Sequence, residues 1–296
     1  MTLLQSVFLG IVQGLTEFLP VSSSGHLAIV QNLFHVDTEG TILFDILLHL
    51  GTLAVVLIVY RKDIWLLIKE FFGMLGDIGK NIAISFANRK VREGGQLTPY
   101  RRVVRTNYRK FVVLIIVATI PTAIIGLLAK KLMADAASTL IVPGIGLLIT
   151  GALLLVSDRV QNNTKIPQDV TNREGLIVGI AQGLATLPGL SRSGSTIAAG
   201  LLCGFDRKFA VKYSFILSIP AILGAAILEI KDVPWKSVTP SEVGIYAAGV
   251  VCAAIVGYIC IRSMLVIVRN RKFKYFAWYF FAVGVFAIVM HFVLGT

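Results

Sequence analysis

A carboxylate, an imidazole, a guanidinium and a run of hydroxyls stand in two short segments of otherwise apolar sequence. The first segment reads Gln13-Gly-Leu-Thr-Glu-Phe-Leu-Pro-Val-Ser-Ser-Ser-Gly-His26, and the second reads Gln182-Gly-Leu-Ala-Thr-Leu-Pro-Gly-Leu-Ser-Arg-Ser-Gly-Ser-Thr196. In the first, Gln13 and Glu17 are spaced i, i+4 and so share one helical face. A carboxylate and an amide oxygen on one face can help hold a hard divalent cation, Mg²⁺ or Ca²⁺. Glu17 can equally be capped by hydroxyls and serve only to pack. Ser22, Ser23 and Ser24 follow Pro20, and His26 stands three residues after Ser23. One helical turn would bring that imidazole toward a hydroxyl, as base to nucleophile or as an acid. In the second segment, Arg192 keeps its charge in nearly any environment and so needs an anion. Glu17 could supply it as a salt bridge, or a ligand phosphate could. Ser191, Ser193, Thr196 and the N-terminus of a helix beginning near Ser193 surround it, and hydroxyls, a helix N-terminus and an arginine make a phosphate site. The two readings are compatible, since a salt bridge can open when an anion arrives.

These groups must be positioned inside a membrane. The 296 residues are 56% hydrophobic and 15% charged, against about 25% charged for soluble domains. Spans are expected at 42–60, 111–129, 140–157, 209–230, 243–261 and 275–294. Polar residues repeated in the same order at membrane depth mark a site where two halves of a duplicated protein meet. Each motif segment reads as a re-entrant helical hairpin, 1–34 and 174–206, because the legs Leu27–Phe34 and Thr196–Phe205 are too short to cross about 30 Å of hydrocarbon. Three spans follow each hairpin. The expected fold is therefore an all-α polytopic membrane protein in one integrated membrane domain. Its two inverted-topology repeats cover residues 1–157 and 174–296. No cleavable signal peptide is expected, because the N-terminus lacks a basic region and already holds the first motif. Cys203, Cys252 and Cys260 lie in apolar sequence without metal spacing and read as reduced packing residues.

The net charge of +12 raises a nucleic-acid reading, which the distribution of charge excludes. Residues 61–110 hold twelve Lys/Arg, and further basic residues cluster at 158–173, 204–212 and 262–274. By the positive-inside rule these segments face the cytoplasm. Hairpin 174–206 is then flanked by cytoplasmic segments, whereas hairpin 1–34 has no basic flank and enters from outside. Arg192 alone has no flank to explain it. Within 61–110, Trp65–Phe86 reads as an amphipathic helix on the cytoplasmic interface, since Lys69, Glu70, Asp77 and Lys80 interrupt its apolar run. Arg89–Lys110 reads as a solvated basic loop touching anionic lipid. Asp45 and His49 form a second i, i+4 pair, suited to supporting the site or to an interhelical hydrogen bond. Pro121, Pro143 and Pro220 read as helix kinks.

Taken together, Gln-x-x-x-Glu at 13–17 with Ser-Ser-Ser-Gly-His, and Pro-Gly-x-Ser-Arg-Ser-x-x-Thr at 188–196, resemble the two signatures of bacterial undecaprenyl-diphosphate phosphatases of the bacitracin-resistance type. The resemblance covers the chain in length, span order and motif placement. It implies hydrolysis of undecaprenyl diphosphate to the monophosphate and phosphate, recycling the lipid carrier for peptidoglycan synthesis, with bacitracin resistance as a consequence. It also implies a divalent cation and an inner-membrane location with the site open to the outer face. By position it makes Glu17 and Gln13 metal-binding or acid–base residues, Ser23 the nucleophile, His26 the proton-transfer group and Arg192 the phosphate-binding arginine. Ser22, Ser24, Ser191, Ser193 and Thr196 stand around the phosphate. Many family members carry Glu where Gln13 stands, so a cation here would lean on Glu17 and on the substrate's own oxygens. Acid-phosphatase-type lipid phosphatases share the Ser-Gly-His element, but they require a second His soon after the Ser-Arg, and Arg192 is followed by Ser-Gly-Ser-Thr-Ile-Ala-Ala-Gly with no His nearby.

The expected chemistry is metal-assisted phosphoryl transfer at the meeting hairpin tips, with the polyprenyl tail in lipid between the spans. Attack by water or by His26 is an open alternative. A polyprenyl-phosphate flippase is the competing reading, since inverted repeats with midplane hairpins are transporter architecture. An anion channel would leave Glu17 and His26 without a role. The expected partners are the polyprenyl diphosphate and membrane lipid, with a homodimer possible and no nucleic acid.

Overall fold

The computed structural model describes residues 1–33, 36, 42–90, 95–137, 141–160, 163–235, 239–269 and 273–294. Its long elements among these residues are all helices: α1 (Leu3–Phe18), α2 (Ser23–Leu33), α3 (Ile42–Val59), α4 (Arg61–Arg89), α5 (Asn107–Ala137), α6 (Ile141–Asp158), α7 (Asn172–Leu184), α8 (Arg192–Leu202), α9 (Arg207–Glu229), α10 (Pro240–Arg269) and α11 (Phe273–Leu294). Six of them, α3, α5, α6, α9, α10 and α11, are long and apolar enough to cross a membrane. The protein is a multi-pass membrane protein. Pro121 and Pro220 lie within helices α5 and α9.

α1 and α2 pack on each other, as do α7 and α8. α2 and α8 are both 11 residues long, which is about 16 Å, or half the hydrocarbon thickness. The first short helix starts at Ser23, ahead of the apolar run expected from Leu27, and the second starts at Arg192, one residue from the start expected near Ser193. For α8 a serine is the reason. Ser191 caps α8 by accepting from the Gly194 N–H at 3.1 Å, so the polar residues lie in the first helical turn and not in the loop. Phe34, the expected end of the first leg, lies outside the described residues.

The helices before residue 160 pack mainly on those after it. α1 lies along α10 as α7 lies along α5, while α6 pairs with α11 and α3 with α9. Glycines permit the closest of these approaches. A Cβ on Gly10 would collide with the Gly249 carbonyl, and one on Gly179 with the Ala118 carbonyl. Small residues at such crossings let membrane helices pack backbone to backbone, where lipid offers no hydrophobic drive.

The expectation of a single solvated loop at Arg89–Lys110 fails at its C-terminal end. α5 begins at Asn107, and Arg109 is 3% exposed. Glu70 and Asp77 of α4 explain this by bonding its guanidinium at 2.7 and 2.6 Å.

Candidate active site

α1 ends at Phe18, one residue after Glu17, which is buried between the hairpins. From there the chain bends through Pro20 and through Ser22, which has φ +67°. A left-handed backbone is costly for a serine and turns the chain sharply into α2. Ser23 and Arg192, the first residues of α2 and α8, therefore arrive at one carboxylate. Glu17 Oε2 accepts from Ser23 Oγ at 2.6 Å and from Gln13 Nε2 at 3.1 Å, and Oε1 accepts from Arg192 Nη2. The Glu17 side chain is 3% exposed. Two helix N-termini, each with a partial positive charge, converge on this anion. Ser193 Oγ links the hairpins again by donating to the Leu19 carbonyl at 3.3 Å.

The structure thus brings together Gln13, Glu17, Ser23, Arg192 and Ser193. It keeps Ser23 and His26 on separate partners. His26 Nδ1 lies 2.8 Å from the Ser22 carbonyl, and Nε2 meets the Tyr279 hydroxyl, the two rings stacking at 5.8 Å. Ser24 is exposed. The Thr196 hydroxyl donates to the Arg192 carbonyl at 2.8 Å and meets Ser214, one turn inside α8. Ser191 is buried, with its backbone N–H on Thr150 Oγ1 at 3.2 Å. Asp45 does not use its side chain on His49. It accepts from Gln31 at 2.9 Å, whereas His49 Nε2 comes within 3.9 Å of Glu17 Oε2. Tyr279 was not foreseen, because a tyrosine in an aromatic span carries no local signal of its partner.

Three buried polar atoms at this junction have no protein partner: Arg192 Nη1, Ser22 Oγ and Gln13 Oε1. Buried groups are ordinarily satisfied, so a guanidinium N–H, a hydroxyl and an amide oxygen left over here are groups that a ligand could satisfy. Among the described residues no three His, Cys, Asp or Glu side chains group as a metal site. An apolar groove of about 460 Å³ leads away from His26 between α1, α2 and α11, past Leu15, Leu19, Val30 and Phe276. A smaller cavity of about 260 Å³ between the starts of α4, α5 and α9 holds none of these residues. Its Asp63 is satisfied by Tyr108 and Lys212, each at 2.8 Å.

The family model of bacitracin resistance protein BacA matches residues 6–286. An undecaprenyl-diphosphatase of Alkaliphilus metalliredigens is 42% identical over 291 residues, 98% of each chain. One of Methanobrevibacter smithii is 40% identical over 286 residues, 96% of each chain, and one of Treponema denticola is 41% identical over 284 residues, again 96% of each. With a family match spanning both hairpins and relatives aligned nearly end to end, the chain belongs to the bacitracin resistance protein BacA family.

Proposed function

We propose that the protein is an undecaprenyl-diphosphate phosphatase, releasing inorganic phosphate from the lipid carrier and leaving the monophosphate. The observation that carries this reading is the junction of α2 and α8, where Arg192 with its partnerless Nη1 and the Ser22 hydroxyl are buried beside Glu17. The relatives' name supports the same substrate. The diphosphate would replace Glu17 as the partner of Arg192, with two helix N-termini adding to its field. The polyprenyl chain would leave along the groove between α1 and α11. Ser23 is the hydroxyl placed for attack. Its oxygen would bond the terminal phosphorus as its proton passes to Glu17, and the bond to the bridging oxygen would break with the electron pair on the departing lipid phosphate. Water would then attack the phosphoserine phosphorus, releasing inorganic phosphate and restoring the Ser23 hydroxyl. Direct attack by water held on Glu17 gives the same products, and a trapped phosphoserine would distinguish them.

A Mg²⁺ ion fits as a substrate-assisted guest. Glu17 and the amide oxygen of Gln13 would hold it with the diphosphate's own oxygens, in keeping with the one or two carboxylates usual for this ion. When bound, it would offset charge on the phosphoryl oxygens. We further propose that the halves insert in opposite orientations, with the site open to the outer face of the inner membrane. The distribution of basic residues supports this. Recycling of the carrier for peptidoglycan synthesis and bacitracin resistance would follow from the activity.

The decisive experiment measures phosphate release from undecaprenyl diphosphate by the purified protein, with and without a chelator. Release that stops with chelator and returns with Mg²⁺ is expected. Tight lipid binding with no release would overturn the reading and favour a flippase. Tyr279→Phe checks the groove end of the site. Loss of the hydroxyl frees His26 Nε2, and kcat is expected to fall about tenfold with KM little changed. A pH–rate profile identical to that of the parent would dismiss a role for this pair.

A further inference from the structure

The chemistry above makes no use of α4 or of the segment that follows it, yet their charges are sorted. Glu70 and Asp77 turn inward to Arg109, which also donates to the Val103 carbonyl at 2.6 Å. Arg101 and Arg105 approach Asp77 at 3.7 and 3.5 Å. The chain before α5 runs back along the same face of α4. Asn88 bonds both the N–H and the C=O of Thr98, and Asn81 does the same with Arg101, at 2.7 to 2.9 Å, as a neighbouring strand would. With these acids neutralised internally, the outward charges are basic. Lys62, Lys69 and Lys80 are exposed along one edge, at spacings that return a helix to the same side. Arg89, held over the Phe86 ring at 5.8 Å, Lys90 and Arg102 are exposed as well. The face away from the strapped segment is apolar: Trp65, Ile68, Phe72, Leu75, Ile78, Ile82 and Phe86 recur every three or four residues and are 41% to 68% exposed.

We propose that α4 and the segment strapped to it form an in-plane plate seated on an anionic lipid leaflet. The apolar stripe lies at the boundary of the acyl chains, and the lysine edge reaches lipid phosphates by extending its long side chains. Charge complementarity selects this occupant. A second copy of the same helix would set one basic edge against another, whereas an anionic leaflet matches both the stripe and its rim.

Trp65 reports on this directly. Trp235 and Trp278 are 57% and 63% exposed, so Trp235→Phe with Trp278→Phe leaves Trp65 as the single tryptophan in the full chain. In nanodiscs, lipids brominated near the headgroup are expected to quench it about twofold more than lipids brominated at the chain ends, increasingly so as phosphatidylglycerol replaces phosphatidylcholine. Combining Lys62→Gln, Lys69→Gln and Lys80→Gln should abolish the dependence on phosphatidylglycerol. Native mass spectrometry of the parent protein, expected to retain phosphatidylglycerol over phosphatidylcholine, keeps the test independent of that variant's folding. Quenching by aqueous iodide alone would overturn the proposal in favour of a solvated helix. Strongest quenching from bromines at the bilayer centre would make α4 a span. Protection that is lost when each disc holds a single chain would make the occupant a second copy.

Discussion

Arg192→Ala is expected to lower phosphate release by about a thousandfold, the scale on which arginine stabilises a transferring phosphoryl group. Arg192 is also a structural partner of Glu17, so the variant should lose stability too. Breaking an ion pair whose carboxylate is buried costs several kcal/mol, and the 22% exposure of the arginine side chain reduces this to about 2 kcal/mol. The structural role is isolated in the double variant Arg192→Ala with Glu17→Gln, where neutralising the orphaned carboxylate should restore most of the melting temperature. The catalytic role is read from Arg192→Ala alone, assayed well below its melting temperature, and near-parental turnover there would make Arg192 only a brace between hairpins. Glu17→Gln alone tests the other side. It removes the proton acceptor of Ser23 and should abolish turnover while leaving the polyprenyl diphosphate bound.

The second large effect concerns the helix crossings. Gly179→Leu should prevent assembly of α7 against α5, and Gly10→Leu that of α1 against α10. In both cases the added Cβ meets a backbone carbonyl, which cannot step aside as a flexible side chain would. Overpacking ordinarily costs about 1–3 kcal/mol, and a clash with a helix backbone belongs above that range. Little monodisperse protein should survive extraction. Gly224→Ala and Gly244→Ala are the controls. A Cβ at either position meets nothing within 4 Å, and the better helix propensity of alanine should hold or raise the melting temperature by up to about 1 kcal/mol of stability. Comparable yields for Gly179→Leu and Gly224→Ala would show that the crossing tolerates separation.

Hydropathy and charge were enough to place the six apolar helices and the two interrupted segments, because burial in lipid imposes length and polarity on each helix separately. The same reasoning found Glu17 and Arg192, since unpaired polar groups in apolar sequence are costly wherever they end up. It also anticipated their salt bridge. It could not assign the partners of the remaining side chains. Spacing suggested that His26 would serve Ser23, whereas folding gives Ser23 to Glu17 and His26 to Tyr279. For Asp45 and His49 spacing allowed an interhelical hydrogen bond or support of the site without naming a partner, and folding supplies both, with Asp45 on Gln31 and His49 toward Glu17. Those choices depend on the left-handed turn at Ser22 and on how α11 and α3 pack beside the hairpins, and no local window of sequence records either. Arg109 shows the same limit, because its burial is set by carboxylates 32 and 39 positions away. Local sequence specifies which groups must be buried and how long each helix can be. Which buried group faces which is decided by packing between segments far apart in the chain.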